Sequence, residues 1–247
     1  MRLEQAIYTS VRSDRLDGYQ LAAASAGVGA EWAQALSGWG PAHDSLWSAE
    51  PGASSVNFHP LRDDRFCISR TTLSGAEYSG RGGGRVYTQM LVVPPESLER
   101  FAWDPFLILQ AVEAAGRLVI YDLVPASLPA IPLPGRAGPP ADLLLAIIEQ
   151  VGAETIGEIA AALKAKPPVA VITDLPVQRL FQAVLHQLLP TERREVSFTT
   201  GLRPSPRRPL RLSFLPADPA LVRQSQRRDG GRVIEAFALA TCGASEG

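Results

Sequence analysis

Seven apolar side chains, Val177, Leu180, Phe181, Val184, Leu185, Leu188 and Leu189, recur at i, i+3, i+4, i+7, i+8, i+11 and i+12. On a helix of 3.6 residues per turn that spacing forms one apolar stripe. Directly before it, residues 169–173 read VAVIT, a continuous apolar run of the kind buried on both faces of a sheet. A doubly buried strand followed by a one-faced helix requires a sheet with helices packed against it. Asp174 stands where an N-cap is expected, Pro176 lies in the first turn, and Pro190 ends the helix.

The N-terminal half has a different rhythm. Residues 4–11 and 19–25 read as two strands joined by a turn-rich link, and 31–36 as one or two helical turns. Three more β-like runs follow at 55–59, 65–73 and 85–93. The last two flank SGRGGGR and predict a hairpin with a Gly-rich tip. Beyond Pro94-Pro95 come helices at 96–101 and 105–115 and a short strand at 118–121. Residues 125–140 are crowded with prolines and predict a linker. Helices are expected at 141–151, as a buried element, at 154–166 and at 220–228, with helix or strand at 232–240. The expected class is α+β (mixed α/β): a strand-rich half, then helices on a mixed sheet. The expected division is 1–124, a linker at 125–140, and 141–247, or the whole as one integrated domain.

The 247 residues carry a formal charge of −1, which gives no global pull toward nucleic acid or membrane. The basic charge is local. Residues 191–232 hold ten arginines against four carboxylates, and the only lysines are Lys164 and Lys166. The arginines gather in TERREVSFTTGLRPSPRRPLRLSFL, residues 191–215, read as two strands around a Pro-rich turn. Arg203, Arg207 and Arg208 on that turn, with Arg81 and Arg85 at the Gly-rich tip, are the candidate contacts for an anion or a partner. The flanking Phe198 and Phe214 alternate as inward-facing residues. That leaves no aromatic row for stacking bases, which argues against nucleic acid. Two cysteines make no disulfide framework and fit a cytoplasmic setting; no apolar run is long enough to span a bilayer.

No complete catalytic, metal or cofactor motif is present. The Gly-rich tip leads into a strand, whereas phosphate loops lead into a helix, so no nucleotide cofactor is expected. Asp122 and Asp174 each follow an apolar strand, where carboxylates often meet ligands. Cys67 and His59 could form a nucleophile and base. The apolar neighbours of Cys67 instead suggest a buried thiol, and Asp63-Asp64 suits a turn. His186 falls on the polar face of the 177–189 helix with Arg179 and Gln182, which predicts exposure. His43 lies in a polar loop.

Three strings, EQAIYTS with GYQLA near the N-terminus, YSGRGGGRVYTQMLVV over 78–93 and VSFTTGLRPSPRRPL over 196–210, resemble the N-terminal domain, type 2, of bacterial GTPase-associated protein 1. The likeness spans most of residues 3–240. It implies a non-catalytic adaptor beside a GTPase partner in a conflict (defence) system, and it supplies no catalytic residue. A phosphate- or nucleotide-binding sensor built on the same arginines is the second expectation, and a Cys/His hydrolase the third.

Overall fold

The computed structural model describes residues 1–11, 18–76, 84–229 and 231–239. The first half consists of β1 (Arg2–Val11), β2 (Gly18–Ala24), α1 (Ala30–Trp39), β3 (Ser54–Pro60), β4 (Phe66–Ala76) and β5 (Gly84–Val93). Its strands lie in the order β3-β4-β5-β1-β2, every neighbour antiparallel. Next come α2 (Pro95–Arg100), α3 (Pro105–Ala114) and the two-residue β6 (Ile131–Pro132), which pairs with Arg2 and Leu3.

The second half comprises α4 (Ala141–Val151), α5 (Ala153–Lys164), β7 (Val169–Ile172), α6 (Val177–His186), α7 (Pro190–Arg193), β8 (Phe198–Thr199), β9 (Leu212–Phe214), α8 (Pro219–Asp229) and β10 (Arg232–Glu235). Here the strands run β10-β7-β9-β8, all parallel. β8 pairs antiparallel with β3 through Phe198↔Phe58 and Thr199↔Asn57. The result is one mixed ten-stranded sheet among the described residues, the expected α+β arrangement.

One face of the sheet carries the main core. Val56, Phe58, Ile68, Leu91, Phe198 and Leu212 meet Phe106 and Ile108 of α3, Ile159 of α5, and Leu180, Phe181 and Val184 of α6. The predicted stripe is buried from Leu180 to Leu188, but α6 ends at His186, Leu189 is 62% exposed, and Pro190 opens α7 instead of ending α6. On the opposite face Ala6, Tyr8, Cys67, Met90 and Val92 pack under Leu36 and Trp32 of α1. The same face carries a buried polar ladder: the Asn57 amide donates to Ser69 and Thr71, and its oxygen accepts from Ser55 and Thr199.

Three local expectations change. Residues 118–121 form no strand. β5 already has β4 and β1 as neighbours, so the segment crosses the sheet face, where its backbone is held by side chains. Arg70 donates to the Leu118 carbonyl, Tyr87 to Val119 and Gln89 to Arg117. β8 and β9 are parallel, not a hairpin, so the Pro-rich stretch between them is a crossover. Finally, α4 is not a buried helix. Only Ile147 and Val151 are buried and Leu145 is 57% exposed, because α4 packs on α5 and α6, outside the sheet-covering layer. No described helix is long and apolar enough to cross a membrane.

Candidate functional site

The crossover from β8 to β9 lies over the second face of the sheet. It is pinned at its start: Trp47 N–H donates to the Gly201 carbonyl at 3.0 Å, and Arg203 N–H to Ser45 at 2.7 Å. Gly201 is required by close approach, since a Cβ there would sit 3.1 Å from the Ser54 carbonyl oxygen. Leu202 is buried, and a turn closed by Arg208 N–H on Ser205 O returns the chain toward β9.

A groove separates this crossover from α8. One lobe, of about 420 Å³, is lined by Val169, Ser205, Pro206, Arg208, Ser213 and Ser225 among others. The other, of about 230 Å³, is lined by Trp47, Arg203, Leu215, Leu221 and Gln224. Pro204 and Ser225 line both, so the lobes adjoin.

The predicted arginines occupy distinct places. Arg208 is only 8% exposed. Its Nη2 donates to the Arg203 carbonyl at 3.2 Å, while its Nε is buried without a partner. Burial holds its pKa below the usual guanidinium value, partly countered by the phenol of Tyr8. Arg203 is exposed; its Nε donates to the Leu46 carbonyl at 3.2 Å and its guanidinium lies 5.3 Å over the Trp47 ring. Arg207 is exposed and, with Arg208, lies near enough to Tyr8 to oppose the rise that burial imposes on that phenol. Arg203, Arg207 and Arg208 thus share one face. Arg85 does not join them. It projects on the side of β5 that carries Tyr87, and its side chain donates to the Ser74 carbonyl and hydroxyl. Arg81 lies outside the described residues.

Sequence reasoning left out α8. Arg223, Gln224 and Arg227 line a shallow concavity that adjoins the second lobe through Gln224. Their signal was the basic charge of α8 itself. Whereas Arg70, Arg194 and Arg232 each pair with a carboxylate, none of Arg203, Arg207, Arg208, Arg223 and Arg227 does so among the described residues.

The Cys67–His59 pair is not a catalytic dyad. The two are cross-strand partners on β4 and β3, but Cys67 is fully buried and burial pushes its thiol well up, which leaves no thiolate to attack. His59 is stacked on Trp39, with ring centroids 3.7 Å apart. Its Nδ1 lies 3.0 Å from the Pro60 carbonyl, which can only accept, so Nδ1 carries the hydrogen. Burial lowers its pKa to about 4. A depressed pKa means the unfolded chain takes up this proton first. Stability from neutral His59 is therefore complete above about pH 6.5 and is lost as pH falls toward 4, a loss of roughly 3 kcal/mol. Chemical denaturation at pH 7 and pH 4.5 should show a smaller pH-linked loss for His59→Phe than for the wild type. Equal losses would remove His59 as the cause.

Other candidates resolve structurally. Asp174 is not an N-cap: α6 begins after Pro176 without a side-chain cap, and Asp174 Oδ1 accepts instead from Ala238 N–H. Thr173 supplies the local bonds, accepting from Leu175 N–H and donating to the Ala236 carbonyl. Asp122 is exposed in a loop. Asp63 and Asp64 adopt positive φ in the β3–β4 turn, where Asp64 pairs with Arg194. His43 sits beside Asp44.

His186 is not exposed. Its side chain is 6% accessible and its Nε2 lies 2.9 Å from Asp104 Oδ2. The same oxygen accepts from Gln182 at 2.6 Å, while Asp104 Oδ1 caps α3. Asp104 was missed by sequence reasoning. Its signal was an Asp directly before Pro105, the N-cap and first-turn pairing that starts a helix. Among the described residues no three His, Cys, Asp or Glu side chains gather as a metal site.

A family model for GTPase-associated protein 1, N-terminal domain type 2, matches residues 2–132, more than half of the chain, and the chain belongs to that family. The matched span covers β1 to β6; the crossover and α8 lie beyond it. No curated protein matches the chain.

Proposed function

We propose that this chain is a non-catalytic recognition module of a bacterial GTPase-associated conflict system, working in the cytoplasm by contact with a protein partner, a GTPase. The contact face is the crossover carrying Arg203, Arg207 and Arg208, flanked by Arg223 and Arg227 of α8. The observation that supports this reading is five arginines on one side of the molecule, none of which pairs with a carboxylate among the described residues. An uncompensated cationic face attracts an acidic one, and guanidinium forks match carboxylates in paired geometry. The family name supports a GTPase as the owner of that acidic face. The burial of Cys67 supports a structural role for the Cys67–His59 pair.

The test is capture of the GTPase from the native host by the tagged chain. The wild type is expected to retain it, more weakly as salt rises, and the combined Arg203→Ala, Arg207→Ala and Arg208→Ala variant to lose at least about tenfold of that retention at low salt, a difference that narrows at high salt. A folded triple variant that holds the GTPase as well as the wild type rules out this face. Absence of any GTPase in the wild-type capture rules out the partner.

A further inference from the structure

We propose that the groove between the crossover and α8 binds a phosphate-bearing small molecule, anchored on the guanidinium of Arg208. This site shares Arg203 and Arg208 with the proposed partner contact, whereas Arg207, which lines neither lobe, belongs to the partner contact alone.

Arg208 is 8% exposed and lines the larger lobe. Its guanidinium makes one bond, to the Arg203 carbonyl, its Nε is buried without an acceptor, and among the described residues it forms no ion pair with a carboxylate. Removing an arginine from water without a counter-charge is costly, and the group does not shed its proton. A bound anion supplies the missing counter-charge. The surroundings set the kind of anion. Ser205, Ser213 and Ser225 place three hydroxyls on the same lobe, and Arg203 adds a second cation in the adjoining one. A carboxylate has two oxygens and one charge. A phosphate ester has three free oxygens and up to two charges, which suits this donor set better.

The remaining walls are apolar: Val169, Pro206, Pro209 and Leu210. A volume of about 420 Å³ is that of a small-molecule site, for which the ordinary range is roughly 300–1,000 Å³. A nucleic-acid strand fits less well. The one aromatic ring in the groove, Trp47, is covered by Arg203 and donates its indole N–H to the Phe214 carbonyl. No row of rings is left for bases.

Calorimetric titration and thermal shift of the full chain should use GMP, GDP, ribose 5-phosphate and inorganic phosphate as phosphate probes. Citrate and tetraglutamate serve as anions without phosphate. At least one phosphate ester is expected to bind saturably at one site and raise the melting temperature, at least about tenfold more tightly than citrate or tetraglutamate. Arg208→Gln should weaken it about 50-fold, on the scale of a lost charge-assisted pair. Ser213→Leu, which fills the groove and leaves Arg208 in place, should also abolish binding and covers the case in which Arg208→Gln does not fold. Arg207→Ala should leave the ligand affinity within about twofold while weakening GTPase capture, which separates a failure of this site from a failure of the partner contact. Three results overturn the proposal: no saturable binding of any phosphate probe, equal binding by the folded Arg208→Gln or Ser213→Leu variant, or tetraglutamate binding as tightly as the best phosphate ester.

Discussion

Asp104→Ala is expected to lower the unfolding free energy by about 3–5 kcal/mol. Asp104 is fully buried and its two oxygens serve four donors: the N–H groups of Phe106 and Leu107 at 2.9 and 3.3 Å, the Gln182 amide at 2.6 Å and His186 Nε2 at 2.9 Å. Truncation removes the cap of α3 and leaves the Gln182 amide and the His186 ring facing each other without an acceptor. A lost cap alone costs about 1 kcal/mol. The remainder comes from stranded polar groups, because Gln182 is 2% exposed and cannot turn to water. Arg193, whose guanidinium donates to the carbonyls of Ala102, His186 and Leu188, feels the charge of Asp104 and would lose that support as well. Asp104→Asn should cost less, since its carbonyl oxygen keeps part of the set. Urea unfolding checks both. A cost under about 1 kcal/mol for the alanine variant would mean that the carboxylate is not the tie between α3 and α6.

This tie marks the boundary of what the sequence reveals. The stripe correctly told which side of α6 meets the core from Leu180 to Leu188, because an apolar periodicity is a local property, but it ran on to Leu189, which is exposed past the end of the helix. It could not tell that Gln182 and His186, on the polar side, would also be buried. Their partner stands about 80 positions earlier in the chain, and a polar residue is buried only where such a partner exists. Asp174 failed for the complementary reason. An acidic residue before a helix is a good cap on average, but here Thr173 is better placed to bond Leu175 and Ala236. Residues 118–121 have strand composition, yet whether a segment joins a sheet depends on a free edge, and β1 and β4 already flank β5.

The arginines follow the same logic. Arg203, Arg207 and Arg208 are close because the chain makes them neighbours, and the crossover keeps them on one face. Linking them to Arg85 required knowing which side of the sheet each occupies. Arg85 shares the side of Tyr87, which packs with Ile7 and Leu128, whereas Arg208 meets Asn57, His59 and Ser69 on the other. Alternation along β5 gives two sides, but only the register with β4 and β1 fixes which of them faces the crossover. The partners that Arg208 does acquire, Tyr8 and the α8 groove, come from opposite ends of the chain. The groove itself therefore had no local signature beyond its prolines and its charge.

Phe198→Ala is expected to cost about 3–5 kcal/mol and to shift the unfolding of both halves together. Phe198 is fully buried, with ring centroids 5.8 Å from Phe58 on β3, 5.1 Å from Phe106 on α3 and 6.1 Å from Phe181 on α6. Its strand is two residues long, yet among the described residues β8 on β3 is the strand pairing that connects β1–β5 with β7–β10. Backbone bonds also cross the seam, from Thr200 to Val56, from Trp47 to Gly201 and from Arg203 to Ser45, and Phe198 adds ring packing from both halves. Trp47 bonds the Phe214 carbonyl and Trp103 lies under Arg194, so with these two replaced by Phe in every chain compared, the fluorescence of Trp32 and Trp39 reports the first half, while far-UV circular dichroism is weighted toward the helices of the second. If the ring cluster makes the halves one cooperative unit, the two signals will share one midpoint in the wild type and a lower shared midpoint in Phe198→Ala. Separate midpoints in the wild type would instead support two units divided at residues 125–140. A variant whose fluorescence midpoint stays in place while the dichroism midpoint falls would show that the cluster stabilises the second half alone.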